Sequence, residues 1–374
     1  MDTAAHKKNL SGGISRRDVL KTAAAGMALG TGLIGMPAIA RTRNISITLP
    51  WVVNGSNFWP IVGKQKGFFS SRGINLSVSR GNGSVAAAQA VGNGQFDLGV
   101  VFFGGVLVNI ARGLPLQILS TVAYDSTMGN IVLADSPIQD PKDLTGKRIG
   151  IVATSAEAPY WPAFAEKTGI DLSKTTRQQL DARMVERALI EKQVDATTGI
   201  ATSSLPVLKS LGVDVRFIPW SKYGVNLYAS QIIAPTKTVE SDPELCQAVV
   251  DGILESVIYT LKNPEESLEI LYKEQPEIGL TKGGKENAIL SQGLAQATMM
   301  GEEMFTHGMG HSDLAKIDAM IKMAADAGAL PEGAPLPKAE QIATNRFVGK
   351  LRIEDSELAT IRQSLAPYIA MTGG

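Results

Sequence analysis

The chain has 374 residues, 44% of them hydrophobic, so it is long enough for about two globular domains with sizeable cores. Lysine plus arginine equals aspartate plus glutamate at 36 each, which excludes the basic surplus typical of nucleic-acid-binding proteins. The single cysteine, Cys246, excludes an intramolecular disulfide and a cysteine-ligated metal cluster.

The N-terminal segment has the pattern of an export signal. Arg16 and Arg17, in "SRRDVLK", resemble a twin-arginine motif, and an apolar run of small residues follows and ends in "AIA" at 38–40. We therefore predict a twin-arginine-type signal over residues 1–40, which directs the protein to the bacterial periplasm. No later apolar run has the length of a membrane helix, so we expect no membrane span in the mature chain.

From residue 44 the chain alternates short apolar runs with helical patterns. "ISITLPW" predicts a strand, "WPIVGKQKGFFSSRG" a helix and "INLSVSR" the next strand, and the alternation continues to "LQILSTVAY". This order is typical of a mostly parallel sheet flanked by helices. A second unit of the same kind follows, and then the pattern becomes helical. We predict an α/β fold in which residues 44–135 and 234–374 form lobe 1, with C-terminal helices on it, and residues 136–233 form lobe 2.

The residues that follow each predicted strand are candidate site residues, because ligands of open α/β sheets bind at the carboxyl ends of the strands. Aromatic rings are common at these positions although only 6% of the chain is aromatic, and short polar residues and acids stand beside them. Flat rings with a few placed polar groups are typical of a cleft that holds a planar ligand. The predicted ligand-binding residues are Trp51, Asn54, Phe58, Trp59, Ser84, Phe102, Phe103, Tyr124, Asp125, Thr154, Ser155, Glu157, Asp181, Thr198, Tyr223 and Asn226.

Motifs for catalysis, metals and nucleotides are weak. "GNGSVA", residues 81–86, fits a loose dinucleotide-binding pattern, but no acidic residue stands where that pattern requires one. His307 and His311 have the i, i+4 spacing of a metal site, but Gly308 and Gly310 stand between them and disfavour a regular helix. A hydrolase triad needs a histidine, and both histidines of the predicted mature chain lie in this glycine-rich segment. We therefore expect no enzyme activity, no cofactor and no metal.

Several motifs together resemble one protein family. "KGFF…GI", "AAQAVGNGQFDLG", "DLTGKRIGI" and "ALIEKQVDA" resemble periplasmic substrate-binding proteins of ABC importers, in the subfamily for nitrate, sulfonates, taurine and the pyrimidine precursor of thiamine. The resemblance covers about residues 44–330. It implies a two-lobed type II periplasmic binding fold, closure on a ligand, and docking to a membrane permease with a cytoplasmic ATPase. "IPWSKYGVNLYAS" is most similar to the branch for thiamine-precursor pyrimidines, although residues 57–60 depart from that branch.

We therefore expect a monomeric solute-binding protein that holds a small planar heteroaromatic ligand between its lobes. The alternative ligand is a sulfonate, taurine or nitrate anion. Such a site favours arginine or lysine at the strand ends, where only Arg80, Arg183 and Lys222 stand. An alternative of another class is a cofactor-containing enzyme exported to the envelope. A third is a sensor that docks to a receptor, which the sequence does not separate from an importer.

Overall fold

The computed structural model describes residues 42–372, so the predicted signal at 1–40 lies outside the described residues. The described strands form two five-stranded sheets, sheet A in the order β2-β1-β3-β10-β4 and sheet B in the order β7-β6-β8-β5-β9. This confirms the predicted α/β class. In chain order the strands are β1 (Arg43–Thr48), β2 (Ile74–Ser79), β3 (Leu98–Phe102), β4 (Leu116–Thr121), β5 (Met128–Leu133), β6 (Arg148–Ile151), β7 (Thr176–Gln179), β8 (Ala196–Ile200), β9 (Val215–Pro219) and β10 (Ser230–Pro235).

Helices flank both sheets and then dominate the C-terminal part of the chain. No described helix is long and apolar enough to cross a membrane. The α-helices are α1 (Trp59–Gln65), α2 (Ser84–Gly92), α3 (Phe103–Ala111), α4 (Trp161–Thr168), α5 (Val185–Ile190), α6 (Ala201–Ser210), α7 (Thr236–Ser241), α8 (Pro243–Lys262), α9 (Pro264–Glu274), α10 (Pro276–Leu280), α11 (Gly284–Thr298), α12 (Glu302–His307), α13 (Leu314–Asp326), α14 (Ala339–Ile342), α15 (Asp355–Ser364) and α16 (Ala366–Met371).

Most strands of each sheet run in one direction, as the alternation of strands and helices predicts. β1 pairs in parallel with β2 and β3, and β6 pairs in parallel with β7 and β8. The exceptions are β5 and β10, which are antiparallel to both of their neighbours. These are the strands with which the chain enters sheet B after β4 and returns to sheet A after β9.

The first passage between the sheets lies between Thr121 and Met128, ahead of the boundary at residue 136 that we predicted. The apolar run "IVL" in β5 reads equally well as the last strand of the first unit. Its partners, β8 and β9, come far later in the chain, so local pattern does not reveal its sheet. The division into two lobes, one for each sheet with its helices, remains a proposal.

The C-terminal helices pack against elements on the sheet A side and on the sheet B side. Helix α8 packs against α1 and β4 on the sheet A side, where the prediction placed these helices. Helix α11 is held on that side by Gln292 and Gln296, whose amides donate to the carbonyls of Pro264 and Thr260 at 3.1 and 2.9 Å. On its other side, Leu294 packs in an apolar cluster with Leu205 of α6, next to sheet B. Helix α11 therefore joins the two sheets' layers.

An ion pair between the buried Glu303 and the partly exposed Lys316 holds the passage from sheet B back to sheet A. The Tyr228 hydroxyl donates to Oε1 of Glu303 at 2.6 Å, and Nζ of Lys316 donates to the same oxygen at 2.8 Å. Burial acts to raise the pKa of Glu303, but the hydrogen bonds from Lys316 and Tyr228 outweigh it and hold the pKa below its ordinary value. Glu303 therefore stabilises this passage in its ionised form.

We expect this pair to make the protein sensitive to acid. A carboxyl whose pKa is lower in the folded than in the unfolded chain stabilises the fold above its unfolded pKa, and this stabilisation is lost as pH falls through the folded pKa. The thermal midpoint of the wild type should therefore fall between about pH 5 and pH 3 more steeply than that of Glu303→Gln. Glu302→Gln removes an exposed neighbouring carboxylate and serves as the control. Equal pH slopes for the wild type and Glu303→Gln would contradict this account.

Candidate functional site

A cavity lies between the two sheets, at the ends of their strands. It encloses about 540 Å³ of empty space, counting the part that is open to solvent. The loops after β1, β2, β3, β6 and β8 meet there, which is where ligands of open α/β sheets bind. Its lining residues are Pro50, Trp51, Ser56, Asn57, Gly83, Ser84, Phe102, Val152, Ser155, Ala156, Glu157, Val185, Thr198, Gly199, Ile200, Thr202, Ser203 and Ser204.

Six of the predicted site residues line this cavity. They come from five strand ends, three in sheet A and two in sheet B, and are separated by up to 147 positions in the chain. Only the tertiary structure brings them together, and their contact with a ligand remains a prediction. The six are Trp51, Ser84, Phe102, Ser155, Glu157 and Thr198.

Three predicted aromatic residues lie in the core instead. Phe58, Trp59 and Phe103 belong to the main apolar cluster, and at most 2% of the surface of each is exposed. All three follow a strand in the chain, which is why the sequence favoured them. Each stands at the start of a helix, α1 or α3, that packs back onto sheet A, so its ring fills the layer between helix and sheet.

Three further predicted residues, Tyr124, Asp125 and Asn226, line a different cavity near the ion pair of Glu303 and Lys316. They stand on the two segments by which the chain passes between the sheets. The sequence showed that Tyr124 and Asp125 follow a strand. It did not show that the chain turns toward sheet B there, away from the cavity between the strand ends.

The remaining four predicted residues do not line the cavity, and two of them form local contacts. Asn54 accepts the backbone N–H of Ser56 at 2.9 Å. Asp181 is exposed and accepts the backbone N–H of Arg183 at 2.9 Å. These are turn and loop contacts of the kind that Asp and Asn commonly form. The other two are Thr154, which is exposed at the rim, and Tyr223, which is 36% exposed.

Glu157 supplies the only charged side chain among the described residues that line the cavity. It is buried, with 2% of its surface exposed. Ser155 Oγ and Thr198 Oγ1 donate to its Oε1 at 2.6 and 3.2 Å. Its Oε2 is buried and has no hydrogen-bond partner among the described residues. Burial raises the pKa of the Glu157 carboxyl, more than the hydrogen bonds from Ser155 and Thr198 lower it.

A buried carboxylate oxygen without a partner is unfavourable, because it has lost its water and gained no hydrogen bond in exchange. A ligand N–H at Oε2 would remove that penalty and form a charge-assisted hydrogen bond, which is stronger than a neutral one. The arrangement around Glu157 is therefore suited to a ligand that presents N–H donors.

Trp51 faces the cavity from the sheet A side on a loop with its own hydrogen bonds. Asn57 Oδ1 accepts the backbone N–H of Asn54 at 3.1 Å, and Asn57 Nδ2 donates to the carbonyl of Val52 at 2.9 Å. The loop also lies against α11, since a Cβ at Gly55 would be 2.0 Å from the carbonyl oxygen of Ala288. These contacts position a half-buried indole at the cavity.

Helices α2, α3 and α6 begin at the cavity, where first-turn N–H groups carry partial positive charge. Some of these donors already have partners in the protein. The N–H groups of Val85, Phe103 and Ala201 donate to carbonyl oxygens at 3.0, 2.9 and 2.9 Å, respectively. Sequence reasoning missed the first turn of α6, Thr202 to Ser204, although "ATSSL" directly follows a strand and carries three hydroxyls.

Contacts between the two sheets' loops close the rim of the cavity. Thr154 Oγ1 donates to the carbonyl of Asn82 at 2.6 Å, and the carbonyl of Thr154 accepts the N–H of Val85 at 3.0 Å. The Tyr160 hydroxyl donates to the carbonyl of Gly104 at 3.1 Å. Residues 82–85 and 104 belong to loops and helices of sheet A, and Thr154 and Tyr160 follow β6 of sheet B, so the structure has a closed arrangement.

The residues considered for metal binding or thiol chemistry lie away from the cavity. Cys246 is fully buried in α8, and burial raises the pKa of its thiol to about 11. The rings of His307 and His311 stack with centroids 4.1 Å apart. Within residues 42–372, no group of three or more His, Cys, Asp or Glu side chains is arranged to hold a metal ion.

A family model described as NMT1/THI5 like matches residues 56–267. The chain is 21% identical over 237 residues to the formylaminopyrimidine-binding protein of Halalkalibacterium halodurans. The aligned region covers 63% of this chain and 72% of that protein. The chain is also 26% identical over 240 residues to the 4-amino-5-hydroxymethyl-2-methylpyrimidine phosphate synthase of Legionella pneumophila. This aligned region covers 63% of this chain and 74% of that protein.

Among solved structures, the alkanesulfonate-binding protein SsuA from Xanthomonas axonopodis pv. citri, bound to MOPS, superposes with a TM-score of 0.63 at 15% identity. The superposition covers 82% of this chain and 99% of that chain. At this identity the likeness shows the fold alone. It confirms the periplasmic binding fold that the sequence resemblance implied.

Proposed function

Because this chain belongs to the NMT1/THI5-like family, we propose that it is the solute-binding component of an ABC import system in the bacterial envelope. The two sheets with their helices act as lobes that close on a small planar heteroaromatic ligand of the thiamine-precursor-pyrimidine type. A membrane permease and, through it, a cytoplasmic ATPase are the proposed partners. The proposed location is the periplasm, reached through the twin-arginine-type signal.

The observation that carries this proposal is Oε2 of Glu157, which has no hydrogen-bond partner among the described residues and is buried in a cavity that Trp51 also lines. An aminopyrimidine presents an exocyclic amino group beside ring nitrogens, so it can donate to a carboxylate while its flat face meets an aromatic ring. Hydrogen bonds to charged groups contribute about 1.5–3 kcal/mol. Trp51 and Phe102 supply half-buried rings for stacking from the sheet A side. The name of the formylaminopyrimidine-binding relative supports the same ligand class.

A sulfonate or nitrate anion is the second candidate, favoured by the likeness to SsuA and by the three helix starts at the cavity. The charge of the lining residues opposes it. Glu157 is an acid, and neither lysine nor arginine is among the residues of 42–372 that line the cavity. A carboxylate that already suffers from desolvation would repel an anion. We therefore favour the heteroaromatic ligand.

An exported enzyme is the candidate of another class, because one relative carries a synthase name. The residues that line the cavity offer Glu157 and several hydroxyls for chemistry. Cysteine and histidine are not among these lining residues. We propose binding without catalysis and without a cofactor, in which the ligand bridges both lobes and shifts the population toward the closed form.

Thermal unfolding of the mature chain, residues 41–374, against a panel of solutes tests the proposal. The panel holds aminopyrimidines, purines, flavins, taurine, alkanesulfonates and nitrate. A ligand that binds only the folded chain at a hundredfold excess over its Kd stabilises it by about 2.7 kcal/mol. We expect a raised midpoint with an aminopyrimidine. A rise with taurine, a sulfonate or nitrate alone would overturn the heteroaromatic ligand and leave the import role standing.

Replacing Trp51 tests the stacking surface. We expect Trp51→Ala to raise the Kd for the aminopyrimidine about tenfold, because stacking contributes about 0.5–1.5 kcal/mol beyond the buried area. Since the indole is only half-buried, unliganded stability should change little. Tyr223→Ala removes an exposed ring that does not line the cavity and serves as the control. Equal weakening in both variants, measured by calorimetry, would contradict a specific role for Trp51.

A further inference from the structure

An outer chamber adjoins the cavity. It encloses about 930 Å³ of empty space, counting the part open to solvent, and lies between the loop at 51–54, helices α5 and α6, and helices α10 and α11. Trp51 and Ser203 line both the cavity and the outer chamber. Val185 lines the cavity, and its neighbour Glu186 lines the outer chamber. The two spaces therefore adjoin at Trp51 and Ser203.

The outer chamber is acidic. Its charged lining side chains are Arg183, Glu186 and Glu277. Arg183 is paired with Asp181 at 3.3 Å, so its charge is already balanced. Neither glutamate forms an ion pair with a described residue. Two carboxylates without a counter-ion favour a positively charged group in this space.

Glu186 directly follows Val185, which lines the cavity, and its side chain is half-buried. Burial raises the pKa of Glu186 to about 7, more than hydrogen bonds from the backbone and Ser204 lower it. A partly desolvated carboxylate gains more from a cation than an exposed one, because the surrounding medium screens the attraction less. A cation close to the Trp51 ring would also gain a cation–π attraction.

We propose that the outer chamber is a second ligand-binding subsite. The cavity between the strand ends holds the ring of the ligand, and the outer chamber takes a cationic group attached to that ring. The inference rests on the proposed function and narrows the ligand class to a flat heteroaromatic with a positively charged second part. Trp51 and Ser203 then contact the ligand at the junction of its two parts, while Glu157 binds the ring and Glu186 the cation.

The experiment compares two probes that share one ring. The first is 4-amino-5-hydroxymethyl-2-methylpyrimidine, and the second is thiamine, in which the same aminopyrimidine is joined to a cationic thiazolium. Calorimetry gives the Kd of each probe for the wild type, for Glu186→Gln and for Glu191→Gln. Glu191 is a matched control, since it directly follows α5 and is exposed, with its partner Arg187 beside it.

We expect thiamine to bind about three- to tenfold more tightly than the pyrimidine in the wild type and in Glu191→Gln, as a partly exposed ion pair allows. Glu186→Gln should abolish this preference and leave the affinity for the pyrimidine unchanged, which also shows that the variant is folded. The preference should grow from pH 6 to pH 8, as Glu186 ionises. The other charged groups that line the chamber are Arg183 and Glu277.

The outcomes separate the two proposals. Tight binding of the pyrimidine without a preference for thiamine, or a preference that survives in Glu186→Gln, would overturn the second subsite and leave the proposed function intact. Binding of neither probe would overturn the aminopyrimidine ligand, and the second subsite with it. Weaker binding of both probes to Glu186→Gln would place Glu186 at the inner ring and so also overturn the second subsite.

Discussion

Gly83→Ala is expected to weaken binding of the proposed ligand about a hundredfold, because it would prevent the proposed closure of the two lobes. Gly83 has φ of +109°, and a Cβ there would lie 2.1 Å from the carbonyl oxygen of Thr154. Real contacts of a Cβ with backbone are never that short, so one backbone must move away from the other. The move would break the hydrogen bonds that Thr154 forms with Asn82 and Val85. The closed form, which holds the ligand between both sheets, would then be a small fraction of the population.

Gly94→Ala is the matched control for this change. Gly94 lies just beyond the other end of the same helix, α2, and also has positive φ at +73°. No atom of the described residues would lie within 4 Å of a Cβ at this position. It therefore introduces backbone strain without the contact to Thr154. Gly104→Val is a second test of closure, at a position where φ is not positive. A Cβ at residue 104 would lie 2.8 Å from the ring of Tyr160. Calorimetry and small-angle X-ray scattering with ligand present are the measurements. Wild-type affinity in Gly83→Ala would show that rim closure does not hold the ligand.

Glu157→Gln is expected to weaken aminopyrimidine binding about tenfold to a hundredfold, while the unliganded protein becomes more stable at neutral pH. The first effect is the loss of a charge-assisted hydrogen bond of about 1.5–3 kcal/mol. The second follows from linkage. Burial raises the folded-state pKa of Glu157, so the ionised carboxylate disfavours the fold, and stability falls as pH rises from the unfolded pKa toward the folded one. Glutamine keeps the shape and removes the buried charge.

The measurements are the Kd and the unliganded thermal midpoint at pH 7. Glu166→Gln is the control. Glu166 is an exposed acid on α4, the helix that follows Glu157 in the chain, and it does not line the cavity. We expect the control to change neither quantity. An unchanged Kd in Glu157→Gln would show that Oε2 does not meet the ligand. A lower midpoint would show that the carboxylate supports the unliganded fold.

Much of the fold follows from local pattern. The alternation of apolar runs with helical stretches predicts the α/β class, because a strand or helix of this kind is specified by neighbours within about ten residues. β5 is the exception. Its apolar sequence identifies a strand, but its partners β8 and β9 come more than sixty residues later, so its sheet depends on pairing that no local window contains.

The candidate site, like the fold, follows partly from local pattern and partly from tertiary structure. The rule that ligands meet strand ends leads from the sequence to Trp51, Ser84, Phe102, Ser155, Glu157 and Thr198, and all of these line the cavity. The same rule leads to Trp59 and Phe103, which lie in the core. A residue after a strand has two possible directions, toward the facing sheet or under the next helix, and the sequence near it does not distinguish them.

The sequence by itself therefore determined the fold class, the family resemblance and the set of strand ends, because these depend on short-range patterns of hydrophobicity and on linear motifs. The tertiary structure alone decided which strand ends face one another, that Oε2 of Glu157 is buried without a partner among the described residues, and that Trp51 lines both the cavity and an acidic outer chamber. The physical reason is that burial and electrostatic environment are sums over residues distant in the chain, and only folding brings those residues together.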